Sequence, residues 1–260
     1  MHNSGSLKLK SNKAFKNELE KFDAFKFEKH TLENGIQVLL NNDKAESKVI
    51  FSLIVNVGSL NDPPKKQGMA HLYEHLSFAA NIPGYNMPFF EVSSIIPSNG
   101  RAHTSHTTTN YNSTCTENVL SEVIKLEAAR FGIVGRHITD QQIKKEIEII
   151  SNEASTIANR HLSQFALYAL KPELEEHNYF IIGSLSGLLN ITLEDIKAFE
   201  QTYYQPKNLT IIISGNIDNK KTLELIKDHF LSLKNLQKKI TKSELSLSIT
   251  QNTFIILPII

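Results

Sequence analysis

The chain has 260 residues and is 40% hydrophobic, which is enough apolar material for one large core or two small ones. Its 28 Lys and Arg residues nearly balance its 27 Asp and Glu residues, so the overall charge argues against nucleic-acid binding and against a polybasic membrane patch. Residues 1–22 lack the apolar core of a signal peptide, and no stretch approaches the roughly 18 uninterrupted apolar residues of a membrane span. The single cysteine, Cys115, cannot form an internal disulfide. We therefore expect a soluble, cytoplasmic protein.

Three segments have the composition of β-strands. Residues 36–42 and 48–59 are rich in β-branched side chains, and the turn sequence at 32–35 precedes the first of them. They are predicted as the first two strands of a sheet. Residues 209–217 form a short apolar run that predicts a further, buried strand.

Helical periodicity dominates the remainder of the chain. The stretch after Gly68 has helical content, and later helices are predicted at 116–132, 139–170, 192–204 and 220–233. The second of these predicted helices has Asp140 as its candidate N-cap and an apolar stripe made by Ile143, Ile147, Ile150 and Ala154. The helix before it carries a stripe of Leu120, Val123, Ile124 and Ala128 and ends at Gly132. Strands with covering helices predict an α+β layered domain.

A compact group of chemically active side chains occurs in "GMAHLYEHLSFAA", residues 68–80. On an α-helix, positions i, i+3 and i+4 share one face, so His71, Glu74 and His75 project into the same region. Two imidazoles at i and i+4 can bind one metal ion, and a catalytic zinc site has three protein ligands and an open position for water. Glu74 is placed to take a proton from that water and deliver it to a leaving amine.

The alternative is that both histidines are hydrogen-bonded core residues, which is the ordinary interpretation of a single histidine. At this composition, however, the pattern His-x-x-acid-His is expected only roughly 0.04 times by chance. The third ligand must lie on another element, and the long predicted helix offers Glu146, Glu148 and Glu153. Glu146 and Glu153 are seven residues apart and share a face, whereas Glu148 points away. The same two positions also suit the polar margin of an amphipathic helix.

These motifs resemble those of the pitrilysin, insulin-degrading enzyme and mitochondrial processing peptidase family. His71 to His75 read as the inverted zinc-protease motif His-x-x-Glu-His of the inverzincins. The resemblance extends from "FEKHTLENGIQVLL" to "IKDHFLSL", and includes "VNVGSLNDPPKKQGMAHLYEHLSF", the glutamates of "EIEIISNE" and the strand in "YYQPKNLTIIISGNID". It implies a single α/β-roll domain with a mixed sheet, and a zinc endopeptidase that binds one Zn²⁺ per chain.

The resemblance also implies roles for individual residues. Glu153 would be the third zinc ligand beside His71 and His75, Glu146 a carboxylate that orients the site, and Glu74 the general base. "RAHTSHTTTNY" lies where the family has its substrate-binding edge strand, which holds an extended peptide by β-augmentation. The corresponding substrate-binding positions here are Arg101, Ala102, His103 and Thr104. An edge strand without a substrate role is the alternative, and Arg101 replaces the usual asparagine.

Length sets the predicted organisation. We expect an N-terminal extension at 1–24, the metallopeptidase domain at 25–236, and a tail or the start of a truncated second domain at 237–260. Family enzymes enclose a peptide or unfolded substrate between at least two related domains, so the resemblance implies a second domain or subunit, in a homo- or heterodimer. A non-catalytic zinc-binding or assembly subunit of a heteromeric peptidase is the alternative function.

Overall fold

The computed structural model of the protein describes residues 27–160 and 180–236. The predicted N-terminal extension at 1–24, the predicted tail at 237–260 and residues 161–170 of the long predicted helix lie outside the described residues. Secondary-structure elements are numbered here in chain order among the described residues.

A mixed sheet forms the centre of the fold, as expected, and it has six strands within the described residues. Its strands lie in the order β1, β2, β8, β3, β7, β6, and the pair of β2 and β8 is parallel whereas the other neighbours are antiparallel. A separate two-stranded ribbon pairs β4 with β5. The strands are β1 Glu28–Thr31, β2 Gln37–Asn42, β3 Val49–Val55, β4 Asn81–Ile82, β5 Met87–Pro88, β6 Asn99–Thr104, β7 Thr109–Cys115 and β8 Leu209–Gly215.

The order of the strands corrects one prediction. β2 and β3 lie at the two predicted positions, but they are not the first two strands, because β1 precedes them and pairs with β2 at the edge. Nor are β2 and β3 neighbours: the buried strand β8, which was predicted, lies between them. β1 has the polar sequence "EKHT" and is largely exposed, so it lacks the apolar alternation that reveals a half-buried strand.

Helices are found at the predicted positions, together with shorter ones. The helix bounds are α1 Met69–Ala79, α2 Phe89–Ile95, α3 Leu120–Arg130, α4 Val134–His137, α5 Asp140–Arg160, α6 Leu185–Leu189, α7 Leu193–Tyr203 and α8 Asn219–Phe230. The cap of α5 differs from the prediction. Thr139 accepts a hydrogen bond from the Gln142 amide and donates its own amide to the Gln142 side chain, so Thr139 caps the helix and Asp140 is its first residue.

One face of the sheet is buried against helices. Alternate residues of the central strands, such as Phe51, Leu53 and Ile211, are at most 2% exposed, which follows from the two-residue period of a strand. α3 packs on β3 and β7, and α8 packs on β2. Burying each such large apolar side chain stabilises the fold by about 1.5–3 kcal/mol. α1 contacts α5, β6 and β7, and therefore lies where the long helix and the sheet edge meet.

Candidate metal centre

The start of α1 is fixed by a buried carboxylate and a glycine. Asp62, seven residues before the first helical residue Met69, accepts hydrogen bonds from the amides of Gly68 at 2.6 Å and Ala70 at 2.8 Å. Its negative charge lies at the positive end of the helix dipole, although burial raises the pKa of Asp62 to about 7. Gly68 has φ +97°, and a Cβ at that position would lie 2.8 Å from Leu188 Cδ2. These contacts set where the helical turn with the motif residues begins.

His71, His75 and Glu153 converge as a possible ligand set. Glu153 Oε2 lies 3.9 Å from His71 Nε2 and 3.7 Å from His75 Nε2, and all three ligand atoms lie within 4.8 Å of one another. In a tetrahedral zinc site with bonds near 2.1 Å, ligand atoms are about 3.4 Å apart. The two distances from Glu153 exceed that spacing by no more than about 0.5 Å, and the Glu153 side chain is 44% exposed.

The electrostatics of the two imidazoles differ: those of His71 favour the neutral, metal-binding form, whereas those of His75 favour a proton. Burial, with a smaller effect from His75 and His103, lowers the pKa of His71 to about 4, so this ring is neutral at physiological pH. Burial also lowers the pKa of His75, but the hydrogen bond to Glu146 and the charges of nearby carboxylates outweigh it and the net pKa is raised. A neutral imidazole is the form that has a lone pair for a metal ion.

Glu146 contacts the other side of His75. Its Oε2 lies 3.2 Å from His75 Nδ1, which selects the tautomer with a proton on Nδ1 and a free lone pair on Nε2. The Glu146 side chain is 13% exposed, whereas Glu148 is exposed and lies away from the site. α5 thus places Glu146 near one ring nitrogen of His75 and Glu153 near the other.

Glu74 lies beside the ligand set and is held from the sheet. Its Oε2 accepts a hydrogen bond of 2.5 Å from the hydroxyl of Thr104. Burial raises the pKa of Glu74, while the Thr104 hydrogen bond and the histidines His75 and His103 act in the opposite direction. The raised pKa brings this carboxyl closer to the range in which it can both accept and release a proton.

The predicted substrate-binding residues lie on β6, which is an edge strand of the sheet. Arg101 and His103 are exposed and Ala102 is half-buried, so the backbone of this strand is open on one side. Thr104 is buried, with 1% of the residue exposed, and its hydroxyl bonds to Glu74. Substrate binding by Arg101, Ala102, His103 and Thr104 stays a prediction.

Sequence reasoning missed two contributors to this site. Asp62 lies in "NDPPKKQG", which reads as a loop, and a carboxylate seven residues before a helix is outside the usual capping spacing. The sequence predicted no role for the hydroxyl of Thr104, because the strand pattern did not show which face the residue would occupy. An acidic residue before a helix that begins at a glycine is the local signal that could have indicated Asp62.

Family models match most of the described chain. A model described as Insulinase (Peptidase family M16) matches residues 37–176, more than half of the chain, and one described as Peptidase M16 inactive domain matches residues 190–256. The chain belongs to peptidase family M16. This result confirms the resemblance to pitrilysin, insulin-degrading enzyme and mitochondrial processing peptidase, and with it the pitrilysin-type domain.

A curated relative and a solved structure, both from Helicobacter pylori, illustrate how this M16 chain compares with known proteins. It is 30% identical over 221 residues to the zinc protease PqqE of Helicobacter pylori. The matched region covers 82% of this chain and 49% of the relative. The crystal structure of a protease from Helicobacter pylori is similar with a TM-score of 0.74 and 28% identity, covering 85% of this chain and 54% of that one.

More distant structures share the fold. The structure of pitrilysin is similar with a TM-score of 0.71 at 22% identity, and the matched region covers 86% of this chain and 24% of the pitrilysin chain. PqqL from Escherichia coli, described as a periplasmic protease, has a TM-score of 0.72 at 23% identity and covers 83% of this chain and 25% of its own.

The M16 chain spans about half the length of the PqqE relative. No helix within 27–160 or 180–236 is long and apolar enough to cross a bilayer. The cytoplasmic location of the M16 chain stays a prediction.

Proposed function

We propose that this M16 chain is a zinc-dependent endopeptidase unit that hydrolyses peptides or unfolded segments. The observation that carries the proposal is the convergence of His71, His75 and Glu153 within 4.8 Å beside the carboxyl of Glu74. The donor set fits zinc, because two imidazole nitrogens and one carboxylate oxygen are ligands that zinc prefers, and three protein ligands leave a position for water. One Zn²⁺ per chain is the expected stoichiometry.

The roles of the individual side chains follow from their contacts. Zinc held by His71, His75 and Glu153 would supply Lewis-acid chemistry that polarises a peptide carbonyl and acidifies a water molecule. Glu74 takes the proton from the attacking water and passes it to the leaving amine. Glu146 holds His75 in the tautomer whose Nε2 lone pair would be free for the metal ion.

The open edge of β6 supports a role in substrate binding. A peptide that pairs with this strand forms main-chain hydrogen bonds irrespective of its sequence, which suits unfolded segments. The pairing would place an extended chain next to Glu74, because Thr104 at the end of the strand contacts that carboxyl. Arg101 and His103 are exposed on the same strand and would contact substrate side chains.

A second half is part of the proposal. The chain spans about half of its PqqE relative, so a related domain or subunit would close over the peptide from the opposite side. The match of residues 190–256 to a model described as an inactive domain favours a second candidate function. In that case the chain would be a non-catalytic zinc-binding or assembly subunit of a heteromeric peptidase.

The substitution Glu74→Gln separates the two functions. The wild-type chain loaded with zinc is incubated with a peptide library, and products are identified by mass spectrometry while bound zinc is measured by elemental analysis. We expect Glu74→Gln to retain zinc and to lose at least about 100-fold in turnover, the lower range for removing a general base. Glu122→Gln, which alters an exposed glutamate on α3, is the matched control and should cleave like wild type.

Two results would count against the endopeptidase proposal. Turnover that is unchanged in Glu74→Gln would remove Glu74 as the base. Zinc binding without cleavage in the wild-type chain, with activity absent also after its partner half is added, would support the non-catalytic subunit instead. Sedimentation of the chain with and without that half measures whether the two associate.

A further inference from the structure

The hydroxyl of Thr104 makes a short contact with one oxygen of Glu74. Thr104 Oγ1 donates to Glu74 Oε2 at 2.5 Å, and Thr104 is 1% and Glu74 8% exposed as whole residues. Within the described residues, no hydrogen bond to Glu74 Oε1 is found. The contact therefore occupies one carboxylate oxygen from the sheet side and leaves the other available.

A rigid hairpin fixes the position of Thr104. It is the last residue of β6, and its backbone pairs with Thr109 at the start of β7. The loop between them is closed by its own hydrogen bonds, since the Ser105 amide donates to the Thr108 carbonyl at 2.7 Å and the Ser105 hydroxyl accepts from the Thr108 amide at 2.9 Å. The residue that holds Glu74 is thus set by strand register and loop geometry.

The same hairpin is attached to the segment that leads into α1. The amides of Ser59 and Leu60 donate to the carbonyls of Ser105 and His106 at 3.1 and 3.0 Å. Gly58 makes this approach possible, because a Cβ there would lie 2.3 Å from the Ser105 carbonyl oxygen. The chain then continues to Asp62, which caps α1.

One scaffold therefore determines where both partners lie. Glu74 is located by the start of α1, and Thr104 is located by the hairpin to which the preceding segment is bonded. A side chain that only filled space would not need a hydroxyl at this position. A buried carboxylate, by contrast, needs a hydrogen-bond donor, since burying an unpaired one costs several kcal/mol.

We infer that Thr104 is a positioning residue that orients the general base, and not a residue that contacts substrate through its side chain. Its hydroxyl fixes Glu74 Oε2 and thereby directs Oε1 toward the proton of the attacking water. Thr104 keeps its own proton throughout, and Glu74 alone accepts and releases the transferred one. The inference rests on the proposed function of Glu74 as the base.

Paired substitutions at Thr104 provide the test. Thr104→Val has the same shape without the hydroxyl, whereas Thr104→Ser keeps the hydroxyl and loses a methyl group. We expect Thr104→Val to reduce kcat on the order of 10- to 100-fold, because a misplacement of about 1 Å can cost that much, with KM and zinc content little changed. Thr104→Ser should restore most of kcat. Thr222→Val removes another buried threonine hydroxyl on α8 and should leave kcat unchanged.

A structural measurement tests the contact without turnover. In crystals of the zinc-free Thr104→Val protein, the Glu74 carboxylate should leave the position it occupies in wild type, and in Thr104→Ser it should stay. A Glu74 carboxylate that keeps its orientation in Thr104→Val overturns the inference, as does a valine variant with wild-type kcat or a serine variant as slow as valine. If Glu74→Gln retains full turnover, the proposed function fails instead, and the crystals still decide whether Thr104 orients Glu74.

Discussion

The carboxylate of Glu146 offers a sharp test of how the candidate metal centre is held together. Its Oε2 lies 3.2 Å from His75 Nδ1, and the two side chains are only 13% and 20% exposed, so solvent screens the pair weakly. Removing a partner of a metal-bound histidine typically lowers metal affinity 10- to 100-fold, or about 1.4–2.7 kcal/mol. We expect Glu146→Ala to fall in the upper part of this range. Glu146→Gln keeps an acceptor without the charge and should lose only about 10-fold.

The measurement is a zinc titration against a competing chelator at pH 8. The pH matters because Glu146 also raises the pKa of His75, and a proton on that ring competes with zinc. Loss of the Glu146 carboxylate therefore has two opposite effects. It weakens zinc binding because His75 is less well oriented, and at lower pH it strengthens zinc binding because fewer His75 rings carry a competing proton. At pH 8, mainly the first effect remains.

Glu148→Ala supplies the matched control, since Glu148 lies on the same helix but is exposed and away from the site. Its zinc affinity should equal that of wild type. Should Glu146→Ala bind zinc as tightly as Glu148→Ala, the contact with His75 has no part in metal binding and the assignment of Glu146 is wrong.

Two further predictions concern the zinc-free fold. Because His71 stays neutral down to a pKa of about 4 whereas the unfolded ring is protonated below about 6.5, unfolding takes up a proton between these values and stability falls as pH drops through this window. His71→Gln should reduce the free energy of unfolding that is lost across this pH window, measured by urea denaturation, by at most about 3 kcal/mol. An unchanged loss would contradict the burial of a neutral ring. Gly183→Ala should destabilise the protein. The φ of +76° alone costs about 1–3 kcal/mol for a residue with a side chain, and a Cβ 2.4 Å from the Gln67 carbonyl oxygen adds to that cost. Gly84→Ala has a similar φ of +85° in open space, so calorimetry showing equal losses for both variants would refute a steric clash at Gly183.

The motif on α1 could be predicted because its geometry is local. Spacing of three and four residues puts His71, Glu74 and His75 on one helix face whatever the rest of the chain does. The strands β2, β3 and β8 and the longer helices were likewise visible in their apolar periods. β1 escaped detection because a polar edge strand has no such period.

The positions of the two glutamates of α5 relative to His75 depend on tertiary structure. Periodicity put Glu146 and Glu153 on one face but gave no preference between them, and family resemblance assigned their roles. Only the packing of α5 beside α1 brings Glu146 to one nitrogen of His75 and Glu153 to the other.

The sequence by itself thus determined the elements that have a strong apolar period and the residues that one helical turn brings together. Tertiary structure decided the orientation of Thr104 and the capping role of Asp62. The polar sequence "NGRAHT" does not specify which face of β6 is buried, and the pairing of Thr104 with Thr109 does. Side chains on separate elements meet through strand register and helix packing, and both depend on contacts between residues that are distant in the chain.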